Sequence, residues 1–393
     1  MKLCFIFDTV MLKDEETDDY YAINLNYKLW KDRYLPIFNE IIVSTRVRKS
    51  TSSEIKKKTG YTIANGQYVE MQPITHYNKI TDVFVKRKKI YKQLEQIITN
   101  CDCVIIRLPS PLGNLACNIC RKLNKKYAIE MVACAWDGYR YHGHWAGRLV
   151  APYMLYKTKQ QCKLANRVLY VTKNFLQKRY PTKGITTNIS NVMINESTVN
   201  ILQARLDKIK NFNSNRIVLG LVGPLELYSK GHEIALKAMT LLKEKYNNII
   251  IEFLGNGNEK RLEQISNKLG IRENIIFKGT LPSGEAVLKW MDEIDILLVP
   301  SFQEGLPRVL IEGMSRGCPA VGAETGGIPE LIRKEFIHKP GNYEKLAENI
   351  QEIVQDKELA LELAKENFEN SKIYAKERLN ERRNKFWKEF ANE

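Results

Sequence analysis

Nowhere in its 393 residues does the chain carry the ~20 consecutive apolar residues that a membrane-spanning helix needs; its richest stretches are Ile249 to Leu254 and Ile294 to Val299. Spanning helices are therefore not expected. The apolar opening Leu3 to Phe7 is closed by Asp8, too soon for the core of a secretory leader, and is read as a first buried strand in a cytoplasmic protein. No repeat at a solenoid period is visible. Acid is scarce in one half only. Residues 1 to 200 hold 32 Lys or Arg against 16 Asp or Glu, while residues 201 to 393 hold 29 of each, so the formal +16 belongs to the first half. That asymmetry suggests two domains with different partners, one of them facing something anionic. Nucleic acid is disfavoured, because basic and aromatic residues do not interleave and no nucleic-acid-binding motif is visible.

Eight cysteines fit a reducing compartment as buried thiols. Cys101, Cys103, Cys117 and Cys120 have a superficially metal-like spacing. However, Cys103 opens the apolar run Val104 to Ile106, and Cys117 and Cys120 fall in an expected helix, so packing is the expected role and no metal is.

From residue 216 onward, short apolar runs alternate with helically spaced segments. Ile217 to Val222, Ile249 to Leu254, Ile275 to Phe277, Ile294 to Val299 and Ala320 to Gly322 read as buried parallel strands of an α/β, doubly wound domain. The first half alternates likewise, with strands expected at Leu3 to Phe7, Ile41 to Ser44, Val104 to Leu108, Tyr127 to Val132 and Val168 to Thr172. Helices are expected around Lys86 to Thr99, Leu115 to Leu123 and Ala151 to Ala165. Asn195 to Asn215 is polar and reads as a connection. The expected division is a first Rossmann-like domain over 1–195, completed by a C-terminal helix over 375–393, and a second over 196–374.

In open α/β sheets ligands bind beyond the carboxyl ends of the strands, so the loops after the strands are where chemistry is sought. The densest is Pro300 to Glu312, where Glu304 and Gly305 precede a helix expected to start at Pro307 and stop at Gly317. Its free amides and positive dipole end suit phosphate. Glu304 lies before this helix and Glu312 within it, so helical spacing alone does not make them an acid/base pair. They suit hydroxyls at two ends of one polyhydroxylated ligand. Lys230, after the first strand of this half, could neutralise a diphosphate.

Together, Lys230-Gly231, Gly255-Asn256-Gly257, Pro300-Ser301, Glu304-Gly305-Leu306-Pro307, Glu312-Gly313-Met314, Gly317-Cys318-Pro319 and Gly326-Gly327-Ile328-Pro329-Glu330 resemble the retaining nucleotide-sugar glycosyltransferases of the GT-B fold, the group with a Glu-x7-Glu hallmark. The likeness runs from Ile217 to about Ile332. The resemblance implies two Rossmann-like domains around a central cleft, with Glu312 on the nucleotide ribose, Glu304 on the transferred sugar and Lys230 on the diphosphate. It also implies that amides from Gly305 to Pro307 hold sugar and phosphate oxygens, and that backbone around Lys278 to Thr280 meets the base. Gly223 and Arg308 complete the expected donor site. Where many relatives carry a second diphosphate cation this chain has Pro224, for which Arg308 is one candidate substitute.

The first half resembles the polysaccharide-assembly members of the group, through Arg107 to Ser110, Trp136-Asp137 and Phe175 to Pro181. Relatives place a sugar-contacting histidine near Ala135 to His144; here Asp137 and His144 are the candidates, with His142 beside them. The acidic stretch Asp14 to Asp19 is either a mobile acceptor loop or a solvated charge run. No Asp-x-Asp occurs, so the resemblance implies metal-independent transfer without a cofactor, the nucleoside diphosphate sugar (a UDP-sugar among the options) being a co-substrate. The implied acceptor is a glycan or polyprenyl-diphosphate-linked glycan. The basic half is expected to lie peripherally on the anionic inner membrane face through Arg46 to Lys58 and Lys86 to Lys92. A GT-B sugar-nucleotide epimerase is the alternative reading.

Overall fold

A computed structural model of the chain describes residues 1–58, 60–77, 85–141, 145–195, 198–211 and 216–393. They divide into two compact units, one of Met1–Trp136, Ala151–Ile189 and Asn380–Glu393, the other of Asp137–Val150 and Ser190–Leu379. The segment 137–150 thus clusters with the second unit, an assignment its sequence position does not suggest.

The first unit is a mostly parallel sheet in the order β5 (Val69–Met71), β3 (Glu40–Ser50), β1 (Lys2–Asp14), β6 (Cys103–Leu108), β7 (Tyr127–Met131), β8 (Arg167–Tyr170) and β9 (Ile185–Asn188). Short strands β2 (Tyr20–Ala22) and β4 (Thr62–Ile63) add on antiparallel. Strand β1 is longer than the apolar run Leu3 to Phe7 foretold. Leu3 to Ile6 lie between β3 and β6; past a bulge, Val10 to Asp14 continue along β3 and turn back onto β2. The acidic stretch is therefore a hairpin tip, with Asp14 N–H donating to Asp19 O at 2.8 Å and Lys13 paired to Asp18 at 2.8 Å. Glu15, Glu16 and Asp18 are exposed, whereas Asp14 is buried and accepts from Ser52. Within the sheet, Glu130 of β7 pairs with its cross-strand neighbour Arg107 of β6 at 2.8 Å and accepts from the Tyr34 hydroxyl. The end of the helix Lys376–Asn392 returns to this unit. There Trp387 and Phe390 are buried, and Arg167 donates to Phe386 O at 3.1 Å.

The second unit is wholly parallel, in the order β12 (Ile275–Gly279), β11 (Ile249–Leu254), β10 (Ile217–Val222), β13 (Ile296–Val299), β14 (Ala320–Ala323) and β15 (Ile337–His338). Strand order reverses between β10 and β13, and the crevice beyond their carboxyl ends is where such sheets take ligands. The polar stretch read as a connection is no mere linker. It contains the helix Val199–Lys210, pinned by the buried guanidinium of Arg205, which donates to the carbonyls of Met291 (2.5 Å), Ile294 (2.7 Å) and Arg316 (3.2 Å). All eight cysteines are buried thiols, and among the described residues no three His, Cys, Asp or Glu side chains converge on a metal-sized site. No helix among the described residues is long and apolar enough to cross a membrane.

Candidate functional site

Each edge of the crevice at the β10/β13 reversal is a loop built by its own sequence. After β10, Gly223 and Pro224 open a loop that tightens into a 3-10 turn, Tyr228–Lys230, before the helix His232–Lys243. After β13, Pro300 to Leu306 run without regular structure into the helix Arg308–Ser315. Pro307 is the residue before that helix rather than its first turn, with φ −70° and ψ 119°. Gly317, at φ 61°, ends it as expected.

The two loops touch through their backbones. Phe302 N–H donates to Ser229 O at 2.7 Å. Gly231 sits at φ 76°, and a Cβ there would stand 2.1 Å from Pro300 O, so only glycine fits. This approach carries Lys230 across the crevice, and its Nζ meets Glu304 Oε1 at 2.7 Å. The pair is mostly screened from water, with 25% of the lysine and 10% of the glutamate side chain exposed. The stem of Lys230 lies over Gly223, where a Cβ would stand 2.8 Å from Lys230 Cγ.

The Glu304 loop is braced from its other side by β14's following turn. Gly327 N–H donates to Gly305 O at 2.7 Å. Gly326, at φ 56°, leaves a Cβ position only 2.2 Å from Glu304 O. The sequence singled out this Gly-Gly turn, but not that its task is to hold Glu304.

Glu312 lies within the helix, half-buried, and burial pushes its carboxyl above the usual range, with Arg308 one turn earlier pulling the other way. Arg308 itself is exposed. Pro307 has no N–H, so the donors at this helix start are those of Gly305, Leu306 and the first helical residues. Lys278 and Thr280 are exposed; the Lys278 ammonium stands 3.6 Å from the buried carboxylate of Glu252, which also accepts from Trp290 Nε1 at 2.7 Å.

Sequence reasoning missed Arg261. From the helix Lys260–Lys268 it donates to Leu225 O at 2.9 Å, pairs with Glu233 and lies 4.3 Å over the Tyr228 ring, which puts a guanidinium on the loop where Pro224 leaves a cation out. Its chain neighbours gave no signal, because the contact is non-local. Next to it His232 is buried edge-on to Phe253, ring centroids 5.2 Å apart, and burial, helped by the charge of Arg261, lowers its pKa to about 4.

Of the first-half candidates, Asp137 is buried in the short helix Ala135–Arg140. Within the second unit its neighbour Tyr141 packs on Phe302, ring centroids 5.8 Å apart, two residues before Glu304. The candidate His144, and His142 with it, lie outside the described residues.

A family model described as Glycosyl transferases group 1 matches residues 203–370, which include both crevice loops. Protein CapJ of Staphylococcus aureus is 33% identical over 98% of this chain and 94% of its own length. The putative colanic acid biosynthesis glycosyltransferase WcaL of Escherichia coli is 32% identical over 31% of this chain and 33% of its own. The structure of Anabaena HepE in complex with UDP-glucose aligns over 99% of this chain and 100% of its own, with a TM-score of 0.65 at 15% identity, a likeness of fold.

Two outcomes follow from the geometry. Gly326→Ala forces a left-handed residue and a carbonyl contact at once, and should lower stability by about 2 kcal/mol and weaken nucleotide-sugar binding, read by urea unfolding and by calorimetry. For His232, the unfolded chain takes up a proton near 6.5 but the folded chain only near 4, so stability is full above pH 6.5 and falls as pH drops toward 4. The loss is up to about 3 kcal/mol, and unfolding curves of His232→Gln across that range should show a flatter dependence.

Proposed function

The chain belongs to the group 1 glycosyl transferases and has the GT-B architecture of two Rossmann-like domains, and from that premise we propose that it moves a sugar, with retention of anomeric configuration, from a nucleoside diphosphate sugar to a glycan or polyprenyl-diphosphate-linked glycan in bacterial surface polysaccharide assembly. The observation that carries the reading is the Lys230 to Glu304 pair at the reversal of strand order, beside the start of the helix Arg308–Ser315. One cation, one carboxylate and a helix N-terminus are what a diphosphate and the sugar attached to it require. UDP is the favoured carrier, since a fold neighbour was solved with UDP-glucose. The polysaccharide context rests on the relative that bears colanic acid biosynthesis in its name.

In this reading the donor displaces Glu304 from Lys230. The ammonium then faces the diphosphate, Glu304 accepts from sugar hydroxyls, and Glu312 accepts from the ribose. The bond from the sugar's anomeric carbon to the diphosphate oxygen breaks with its electron pair going to that oxygen. Lys230 and the N–H groups of Gly305, Leu306 and the first helical turn stabilise the developing charge, and this preorganised electrostatic stabilisation is the main way such a site lowers the barrier. The acceptor hydroxyl bonds to the same face of the anomeric carbon and gives its proton to the departing phosphate oxygen. The cation duty falls to Lys230, and no metal is called on; Arg261 and Arg308 are the side chains available to assist. Asp137 and His144 are the first-half candidates for contact with the transferred sugar. The reaction is placed in the cytoplasm.

The test is transfer from labelled UDP-, GDP- and dTDP-sugars, with the product anomer read by NMR. Lys230→Met should lower kcat/KM by about 10²- to 10³-fold. Glu312→Ala should raise the donor KM roughly tenfold to a hundredfold. An inverted product would overturn retention alone, whereas an altered donor sugar released without any acceptor would point to epimerisation and overturn the transfer.

A further inference from the structure

The helix Trp145–Leu164 turns an unusual face to solvent. Its buried positions are Ala151, Met154, Thr158, Gln161 and Cys162. On the opposite side, at 3.6 residues per turn, Trp145 is 70% exposed, Leu149 71%, Tyr153 48%, Tyr156 58% and Leu164 54%. A stripe of large apolar and aromatic side chains thus runs over the first three turns of the 20-residue helix, from Trp145 to Tyr156, with Leu164 beyond Gln160 and Lys163 at its end. Arg148 and Lys159, both exposed, flank it on one side. Lys157 flanks it on the other, its ammonium 5.7 Å from the Tyr153 ring. At its end the helix meets a shallow cavity of about 320 Å³ lined by Lys163, Leu164, Lys183 and the exposed Ile185.

A stripe of this kind stands at a cost in water unless something apolar covers it. The charge says what covers it. No Asp or Glu occurs between Asp137 and Glu196, so the charges that this segment itself brings to the face are all cationic. Aromatic rings with a polar tip, aliphatic side chains and flanking Lys or Arg are the chemistry that seats a helix at the headgroup level of an anionic bilayer. The basic stretches singled out in the sequence do not have this combination. Arg46 is engaged by Asp8, Nε to Oδ1 at 2.6 Å, and stacks on Tyr77. Lys86, Arg87, Lys88, Lys89 and Lys92 are exposed, but among the described residues beside them Val85 is the only exposed large apolar one.

We propose that the solvent face of the helix Trp145–Leu164 docks the protein on an anionic lipid surface, with Trp145, Leu149, Tyr153 and Tyr156 entering the interface and Arg148, Lys157, Lys159 and Lys163 meeting the headgroups. The docking surface is independent of the transfer chemistry, and its test does not use activity. The full-length chain is sedimented with phosphatidylcholine vesicles, with and without phosphatidylglycerol, at low and at high salt, and its tryptophan emission is followed. Of the five tryptophans Trp145 is the one strongly exposed, Trp136 being half-buried and Trp30, Trp290 and Trp387 buried. The expected result is binding to the phosphatidylglycerol vesicles with a blue shift that Trp145→Phe abolishes, and a loss of binding of roughly tenfold or more in Leu149→Glu/Tyr156→Glu. Nucleoside diphosphate binding by that double variant should match the wild type, which shows that it folds. Three results would overturn the proposal: indifference of the wild type to phosphatidylglycerol vesicles at low salt, binding that survives the double variant but disappears when Lys86, Lys88, Lys89 and Lys92 are changed to Gln, or a dimer that the double variant converts to monomer with vesicle binding unchanged.

Discussion

Two backbones that pass almost in contact set the shape of the second domain's crevice. The turn at Gly231 and the carbonyl of Pro300 lie so close that no side chain fits between them, and the hydrogen bond from Phe302 to Ser229 fixes the approach. Because β10 and β13 lie side by side where the sheet reverses its order, their loops must leave in different directions, and a crevice opens unless something draws them together. Here the glycine contact draws their bases together and leaves their tips, Lys230 and Glu304, facing one another.

That arrangement explains why the ion pair exists. A lysine and a glutamate that are both mostly out of water need each other while no ligand is present, since an unpaired charge there would be costly. In the proposed reading a diphosphate takes over the lysine and sugar hydroxyls the carboxylate, which would satisfy the same two groups in either state. The brace from Gly326 and Gly327 fixes the backbone of Glu304, and Glu312 stands half-buried in the helix that follows. The rest of the second domain, from the Arg205 clasp to the apolar sheet, serves to hold these loops at the right separation.

Much of this was legible in the sequence. The runs that became β10, β11, β13 and β14 are apolar and short, and Pro300, Gly305 and Pro307 mark the Glu304 segment as a loop between a buried strand and a helix. What escaped is non-local. The helix Val199–Lys210 is mostly polar outside and is tied down by Arg205 and Lys208, whose partners lie some eighty-five to a hundred and ten residues later, so its composition resembled a linker. Strand β1 runs on past Asp8 because Arg46 and the Tyr77 hydroxyl pair with that carboxylate, which no local pattern shows. Arg261 reaches the loop after β10 from another helix. The helix expected around Ala151 to Ala165 starts six residues earlier, at Trp145, and apolar residues on both its sides left periodicity unable to say which side faces solvent.

The most direct measurement is a crystal structure with a non-transferable nucleoside diphosphate sugar bound. The account predicts that Lys230 Nζ has left Glu304 for a diphosphate oxygen, that Glu304 accepts from the sugar and Glu312 from the ribose, and that the backbones at Gly231 and Pro300 have not moved. A ligand seated elsewhere, with the Lys230 to Glu304 pair intact, would contradict it.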